Sequence, residues 1–406
     1  MTAIQPNFFD GARRLQMNEA IELTIASLQA YGPLHDHWAV AWSGGKDSSA
    51  TLTLLVWLLE TGKVARPKSL TIFYADTRME LPPLAIAAKH LIDDLADRGI
   101  EVRIVCAPLD KRFFVYILGR GVPPPNNNTL RWCTRQIKVE PMQDAVAAML
   151  ADTGGSALMI TGVRQGESAI RDRRIEMSCG KDGAECGQGW YQKALPESPQ
   201  LRDRIATVAP LLHWRVCHVW EWLKHWAPQA QFGDWSTAAI ADAYGGDEAE
   251  EINARTGCTG CPLAQEERAL DTILLNERWS HLAPLKELKP LYRWLREPSN
   301  RLRKAGAERL KDGSIAKNPQ RMGPLTFTAR KEGLRRVIDI QGRCNQAALQ
   351  LGRPTIDILN ADEAERITTL IAVKTWPEGW DGTEPIATMP LDTVYQDGSV
   401  QPLLVR

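Results

Sequence analysis

Ser43-Gly44-Gly45-Lys46-Asp47-Ser48 is the stretch from which the fold of this chain is read. An apolar run, Trp38 to Trp42, precedes it and reads as a short buried strand, and Ser49 to Leu59 behind it reads as a helix. Two adjacent glycines let the backbone turn sharply and come close to an anion. The helix start behind them offers unpaired N–H groups and a positive dipole end, a seat for phosphate. Lys46 adds a mobile point charge, and the Ser43 and Ser48 hydroxyls add donors. A Walker A loop would need glycine at position 40 and Ser or Thr directly after the lysine. Val40 and Asp47 stand there, so that motif is excluded.

Working outward, β–α alternation fills the first half of the chain. Strand-like runs at Leu70 to Ala75, Val102 to Ala107 and Ala157 to Thr161 alternate with helix-like spacing at Pro82 to Ala96 and Val139 to Leu150, and Ala12 to Leu28 also has helical spacing. This predicts an α/β fold, a parallel sheet with helices on both faces. Ligands of such sheets sit at the carboxyl ends of the strands. Ser43, Asp76 and Gly162 to Arg164 all fall at such ends. Pro123 to Asn128 reads as a loop, and Lys181 to Gly189 as an irregular Gly-rich one. From about Gln265 the pattern turns helical: Glu266 to Leu275, Leu285 to Leu295, Phe327 to Gln341 and Glu363 to Val373. The expected organisation is an α/β domain over 1–265 and a mainly helical domain over 266–406.

Composition bounds the function classes. The 406 residues carry 49 basic against 49 acidic side chains, so the whole molecule has no nucleic-acid signature and any basic face must be local. Met1 to Ala12 are polar, and the longest apolar run, Leu52 to Leu59, is too short to span a bilayer, so a cytoplasmic protein without a membrane partner is expected. In that compartment eight cysteines argue for metal or redox chemistry over a disulfide framework.

Arg131-Trp132-Cys133-Thr134-Arg135-Gln136-Ile137-Lys138-Val139-Glu140-Pro141 is followed by Gly162-Val163-Arg164-Gln165-Gly166-Glu167-Ser168 and Arg171, then by Pro210-Leu211-Leu212-His213-Trp214 and Val219-Trp220. The glycine–lysine loop resembles the PP-loop of the ATP pyrophosphatase superfamily, enzymes that cut ATP between the α and β phosphates. With the later motifs it resembles the phosphoadenosine-phosphosulfate (PAPS) reductase branch over roughly residues 38 to 262. The resemblance implies an adenine nucleotide α-hydrolase-like fold. It also implies ATP and Mg²⁺ held by Ser43, Gly44, Gly45, Lys46, Asp47, Ser48, Asp76, Thr77, Lys138, Gly162, Arg164 and Arg171, with Lys46, Asp47 and Arg164 as the catalytic set. The residue types suit this: arginine makes charge-assisted bonds to phosphate oxygens, and carboxylates hold Mg²⁺ together with substrate phosphates. Surface ion pairing of Arg164, Arg171 and Lys138, and helix capping by Asp76, are the plain readings of the same residues. Trp214, near a strand end, reads as core.

Gly257-Cys258-Thr259-Gly260-Cys261-Pro262 gives a CxxC, which alone fits zinc, an iron–sulfur cluster or thiol redox. In the reductase family a [4Fe–4S] cluster is held by a Cys-Cys pair and a distant CxxC. Cys133 takes the first place of that pair, but Thr134 stands at the second, leaving Cys179 or Cys186 to complete a set with Cys258 and Cys261. A structural zinc is the alternative. Cys106, Cys217 and Cys344 read as small apolar residues.

Sulfonucleotide reductases carry a nucleophilic cysteine in a C-terminal Glu-Cys-Gly, whereas Tyr395 to Arg406 hold none and Glu185-Cys186-Gly187 lies mid-chain. The combination of loop, Cys133-Thr134, CxxC and helical extension is most similar to the DNA phosphorothioation proteins of the DndC and SspD type. That resemblance implies activation of a DNA backbone phosphate by ATP, sulfur from a cysteine desulfurase, and other phosphorothioation proteins as partners. A sulfonucleotide reductase, a tRNA thiolase and an ATP-binding sensor are the other readings. Between Arg296 and Arg336 twelve basic residues face four acidic ones, and Arg301, Arg303, Lys304, Arg330, Lys331, Arg335 and Arg336 are the expected DNA contacts, an ordinary solvated helix surface being the plain alternative.

Overall fold

The computed structural model describes residues 15–126, 131–166, 173, 190–193, 201, 203–245 and 257–404. Six strands form one sheet in the order β3-β2-β1-β4-β6-β5: β1 (His37–Trp42), β2 (Ser69–Asp76), β3 (Val102–Cys106), β4 (Ala157–Thr161), β5 (Trp190–Lys193) and β6 (Ile205–Ala209). All pairings are parallel except β5 with β6. The sheet is therefore mostly parallel rather than wholly so. The antiparallel strand β5 sits at the edge of the sheet, paired with β6. Neither β5 nor β6 is foreseen in the sequence pattern, whereas the four earlier strands fall within a residue or two of their expected bounds.

Side-chain alternation along β1 explains why helices cover both faces. Trp38, Val40 and Trp42 point into one apolar core, while Ala39 points into another. The first core takes apolar residues of α1 (Met17–Tyr31), α2 (Lys46–Glu60) and α3 (Pro82–Asp97). The second takes Val146, Met149 and Leu150 of the helix Glu140–Thr153. Trp214 is core as expected: it is buried, and its indole N–H donates to Ala20 O at 3.2 Å and Thr24 Oγ1 at 3.0 Å.

Residues beyond 265 hold the helices Arg268–Leu274, Leu288–Leu295, Phe327–Gln350 and Ala361–Ala372, with a short antiparallel pair, Arg301–Arg303 against Met322–Leu325. The helix begun at Phe327 runs further than its expected end at Gln341. Its apolar positions, Val337, Ile340 and Cys344, join the same core as α2. Among the described residues no helix is long and apolar enough to cross a membrane.

Candidate nucleotide and thiol site

The loop sits where β1 ends and α2 begins. Gly44 has φ +72°, the left-handed region that glycine enters without strain, and Gly45 is the N-cap residue of α2. The loop is braced from inside: Ser48 Oγ donates to Gly45 O at 3.0 Å, and Ser43 N donates to Ser48 Oγ at 3.3 Å. It is braced from outside by Gly162, at the end of β4. A Cβ there would stand 2.7 Å from Ser48 N and 2.8 Å from the Asp47 carbonyl, so only glycine lets β4 approach the loop. Gly162 thus serves the loop by close packing, a role the motif itself does not reveal.

Charges close on one another around this turn. Lys46, though buried, places Nζ 3.2 Å from Asp47 Oδ2, and the buried Arg164 donates Nε to Asp47 Oδ1. Asp47 thereby holds both cations. Arg164 is not among the residues lining the adjoining cavity, so it meets the loop through Asp47. Tyr244, which the sequence reading misses, stands over the turn. Its hydroxyl accepts from Lys46 N at 3.2 Å, and its ring lies 4.9 Å from Lys46 Nζ. An oxygen of a bound anion would compete for the same N–H.

The second wall comes from the loop after β2. Asp76 Oδ1 accepts from Arg78 N at 2.8 Å, a turn-forming bond, and Asp76 itself does not line the cavity. Thr77 donates from N at 3.1 Å and from Oγ1 at 2.6 Å to Glu80 Oε1. Burial pushes the Glu80 carboxyl above the ordinary carboxylate range; the Thr77 hydrogen bonds oppose that and the Asp76 charge adds to it. Glu80 is a second missed residue, although Thr77-x-x-Glu80 has the spacing of a capping box.

The CxxC turn is fastened to this wall. Thr259 N donates to Met79 O at 2.7 Å, and Thr259 Oγ1 donates to Glu80 O at 2.9 Å. Cys258 therefore faces the same cavity, of about 770 Å³, as Ser43, Lys46, Asp47, Ser48, Thr77, Lys138 and Gly162. Thr134 lines it too, which brings Cys133 alongside. Burial pushes the Cys258 thiol up to about 12, with Cys261, Glu80 and Cys133 adding to the effect. Burial raises Cys133 as well, and Cys261 contributes. These three thiols therefore share one neighbourhood, although residues 133 and 258 are far apart in sequence. Among the described residues no three His, Cys, Asp or Glu side chains are arranged to hold a single metal ion. Arg171, Cys179 and Cys186 lie outside the described residues.

The expected DNA contacts divide. Arg330 is a correction: it is fully buried, and its guanidinium donates to Leu118 O at 2.8 Å, to Thr375 O at 2.8 Å and to Gly119 O. It fixes the helix Phe327–Gln350 to the core and has no surface to offer a phosphate. Arg301 is held on the carbonyls of Met322 and Gly323, and Arg303 on Gln320 O. Lys304 pairs with Glu384 at 2.7 Å, and Arg335 and Arg336 both pair with Glu332. Lys331 is exposed.

Residues 37–227 match the model of the phosphoadenosine phosphosulfate reductase domain. No curated protein matches the chain. Among solved structures, the FMN adenylyltransferase of Candida glabrata, in complex with FMN and an ATP analogue, is similar at 16% identity and a TM-score of 0.29. That match covers 51% of this chain and only 57% of the enzyme's length. The U34-tRNA thiolase NcsA of Methanococcus maripaludis, with its [4Fe-4S] cluster, is similar at 14% identity and a TM-score of 0.30, covering 69% of this chain and 79% of that one.

Proposed function

We propose that the chain is an ATP pyrophosphatase that activates a DNA backbone phosphate for sulfur incorporation. The observation that carries this reading is the single cavity that joins the glycine–lysine loop to Cys258. Adenylation needs cations beside the phosphates, and sulfuration needs a sulfur site within reach of the adenylated product.

Gly44, Gly45, Lys46 and Ser48 hold the β and γ phosphates, and the Asp47 carboxylate, which lines the cavity, would hold a Mg²⁺ that neutralises phosphate charge, while Asp76 shapes the loop beside the nucleoside. A non-bridging oxygen of the DNA phosphate attacks the α phosphorus, and the bond to the bridging oxygen of pyrophosphate breaks. Lys46 stabilises charge on the equatorial oxygens and on the leaving pyrophosphate, and Arg164 keeps Asp47 in place for Mg²⁺ and Lys46. Positioning and electrostatics supply most of the acceleration. Persulfide sulfur from a cysteine desulfurase, reduced to the sulfide level by two thiols that close to a disulfide, then attacks the DNA phosphorus, and AMP leaves with the original oxygen. The other phosphorothioation proteins and the unit 266–406 present the strand.

Cys133, Cys258 and Cys261 would hold three corners of a [4Fe–4S] cluster, with Cys179 or Cys186 as the fourth ligand. Three neighbouring thiols are a soft donor set suited to iron–sulfur. When bound, the cluster would supply a redox-active or sulfur-accepting centre at the cavity wall.

The test is AMP and pyrophosphate production from ATP alone, with DNA, and with tRNA. DNA-stimulated cleavage at the α–β bond is expected. Stimulation by tRNA instead would assign the chemistry to a base, and no cleavage in the presence of DNA and a sulfur donor would overturn the enzymatic reading.

A further inference from the structure

A second cavity, of about 280 Å³, lies behind the CxxC turn. Lys289, Arg293 and Arg296 line it together with Gln265, Asn126 and Tyr292, and no carboxylate is among its lining residues. The three cations recur at one-turn spacing along the helix Leu288–Leu295 and its C-cap residue, so they fall on one face. Tyr292 separates this cavity from the cysteines: its ring edge lies 3.4 Å from where a Cβ on Gly260 would stand.

The local charge does not balance. Lys289 pairs with Glu267 at 3.2 Å, and Glu267 also accepts from Gly260 N at 3.0 Å. Arg296 is held on carbonyls, with Nε donating to Pro124 O at 3.4 Å and Nη2 to Pro125 O and Pro262 O. Among the described residues neither Arg293 nor Arg296 has a carboxylate within ion-pair distance, and each arginine's charge opposes the other's. The end of a helix contributes about half a negative charge. Against three cations and one carboxylate, that leaves an excess of roughly one to two positive charges around a hollow. Carbonyls orient a guanidinium but do not neutralise it, so an anion entering the hollow gains charge-assisted hydrogen bonds.

We propose that this cavity is a phosphate-binding site, taking either a phosphodiester of a nucleic-acid strand or a free phosphate, beside the CxxC turn and apart from the nucleotide loop. The strand identity rests on the function proposed above, whereas the phosphate chemistry does not. A strand held here passes behind the CxxC turn, whose Pro262 lines the cavity and accepts from Arg296.

The experiment measures binding of a short DNA duplex by fluorescence anisotropy across a salt series, and of inorganic phosphate by calorimetry, with the full chain. Arg293→Ala is the first variant and Arg293→Glu the second. Arg293 is exposed, so both variants fold, as their melting curves will report. The expected result is about a tenfold loss of DNA affinity and a salt slope lower by about one. Loss of phosphate binding with unchanged DNA affinity assigns the site to free phosphate. Unchanged binding of both probes in folded variants overturns the site. Absence of AMP formation by the wild-type protein, with the DNA and phosphate losses intact, removes the proposed function and leaves this site standing.

Discussion

The loop after β1 and the thiol neighbourhood face the same cavity, yet they are built in opposite ways. The loop is six consecutive residues on one strand–turn–helix unit, and its cations are already ordered by Asp47. The thiols come from segments separated by more than a hundred residues, and Cys258 is positioned by two hydrogen bonds from Thr259 to the loop after β2. A phosphate seat can be specified locally because backbone N–H groups and one lysine do most of the work. A sulfur site needs several soft ligands at one place, which only tertiary structure supplies. Substitutions in the first region should therefore change chemistry without unfolding the chain, and substitutions in the second should change assembly first.

Lys46→Ala tests this most severely. Asp47 keeps Arg164 as its partner, so the fold persists while AMP formation falls at least about 100-fold. A folded variant with wild-type AMP release would end the loop assignment. Gly162→Ala comes next. Its Cβ would press on backbone atoms of Asp47 and Ser48 that have no room to yield, so a loss of about 1–3 kcal/mol in stability and a sharp drop in AMP formation are expected. Thermal melting and AMP assays on the same sample show whether the two fall together.

Thr259→Val keeps the shape of the side chain but removes the donor to Glu80 O, at a cost of about 1 kcal/mol. Iron bound after anaerobic reconstitution should fall while affinity for an ATP analogue changes little; the reverse pattern would make the latch part of the nucleotide site instead. Glu80→Gln has the smallest effect. Because burial raises the Glu80 carboxyl in the folded state, the folded chain holds that proton more tightly than the unfolded chain. Its contribution is complete below the unfolded value of about 4.3 and is lost as pH rises through the folded one. Stability of the wild type should decline over that interval, and Glu80→Gln should flatten the decline. Parallel pH profiles would place Glu80 outside the balance.

The same contrast governs what the sequence made legible. The loop and four strands could be read because their signals are contiguous: glycines in a turn, apolar runs of strand length. β5 could not, since Trp190 to Lys193 carries no buried-strand pattern and depends on pairing with β6. Tyr244 left no local trace, because its contact with Lys46 joins residues 198 apart. Arg330 was misread for a related reason. Charge density along a segment does not reveal which guanidinium turns inward to carbonyls. Glu80 was the one missed residue with a usable sign, its spacing from Thr77.

The Thr259 latch has a thermodynamic consequence. Because it ties the CxxC turn to Met79 and Glu80, the wall that faces the glycine–lysine loop across the cavity and the turn that carries two thiols are one mechanical piece. Any ligand that shifts this piece from one side biases occupancy on the other by an equal free energy, whichever binds first. If the thiols take the proposed cluster, its affinity and that for ATP cease to be separate properties: protein reconstituted with iron and sulfide should bind an ATP analogue with a different affinity from protein left unreconstituted.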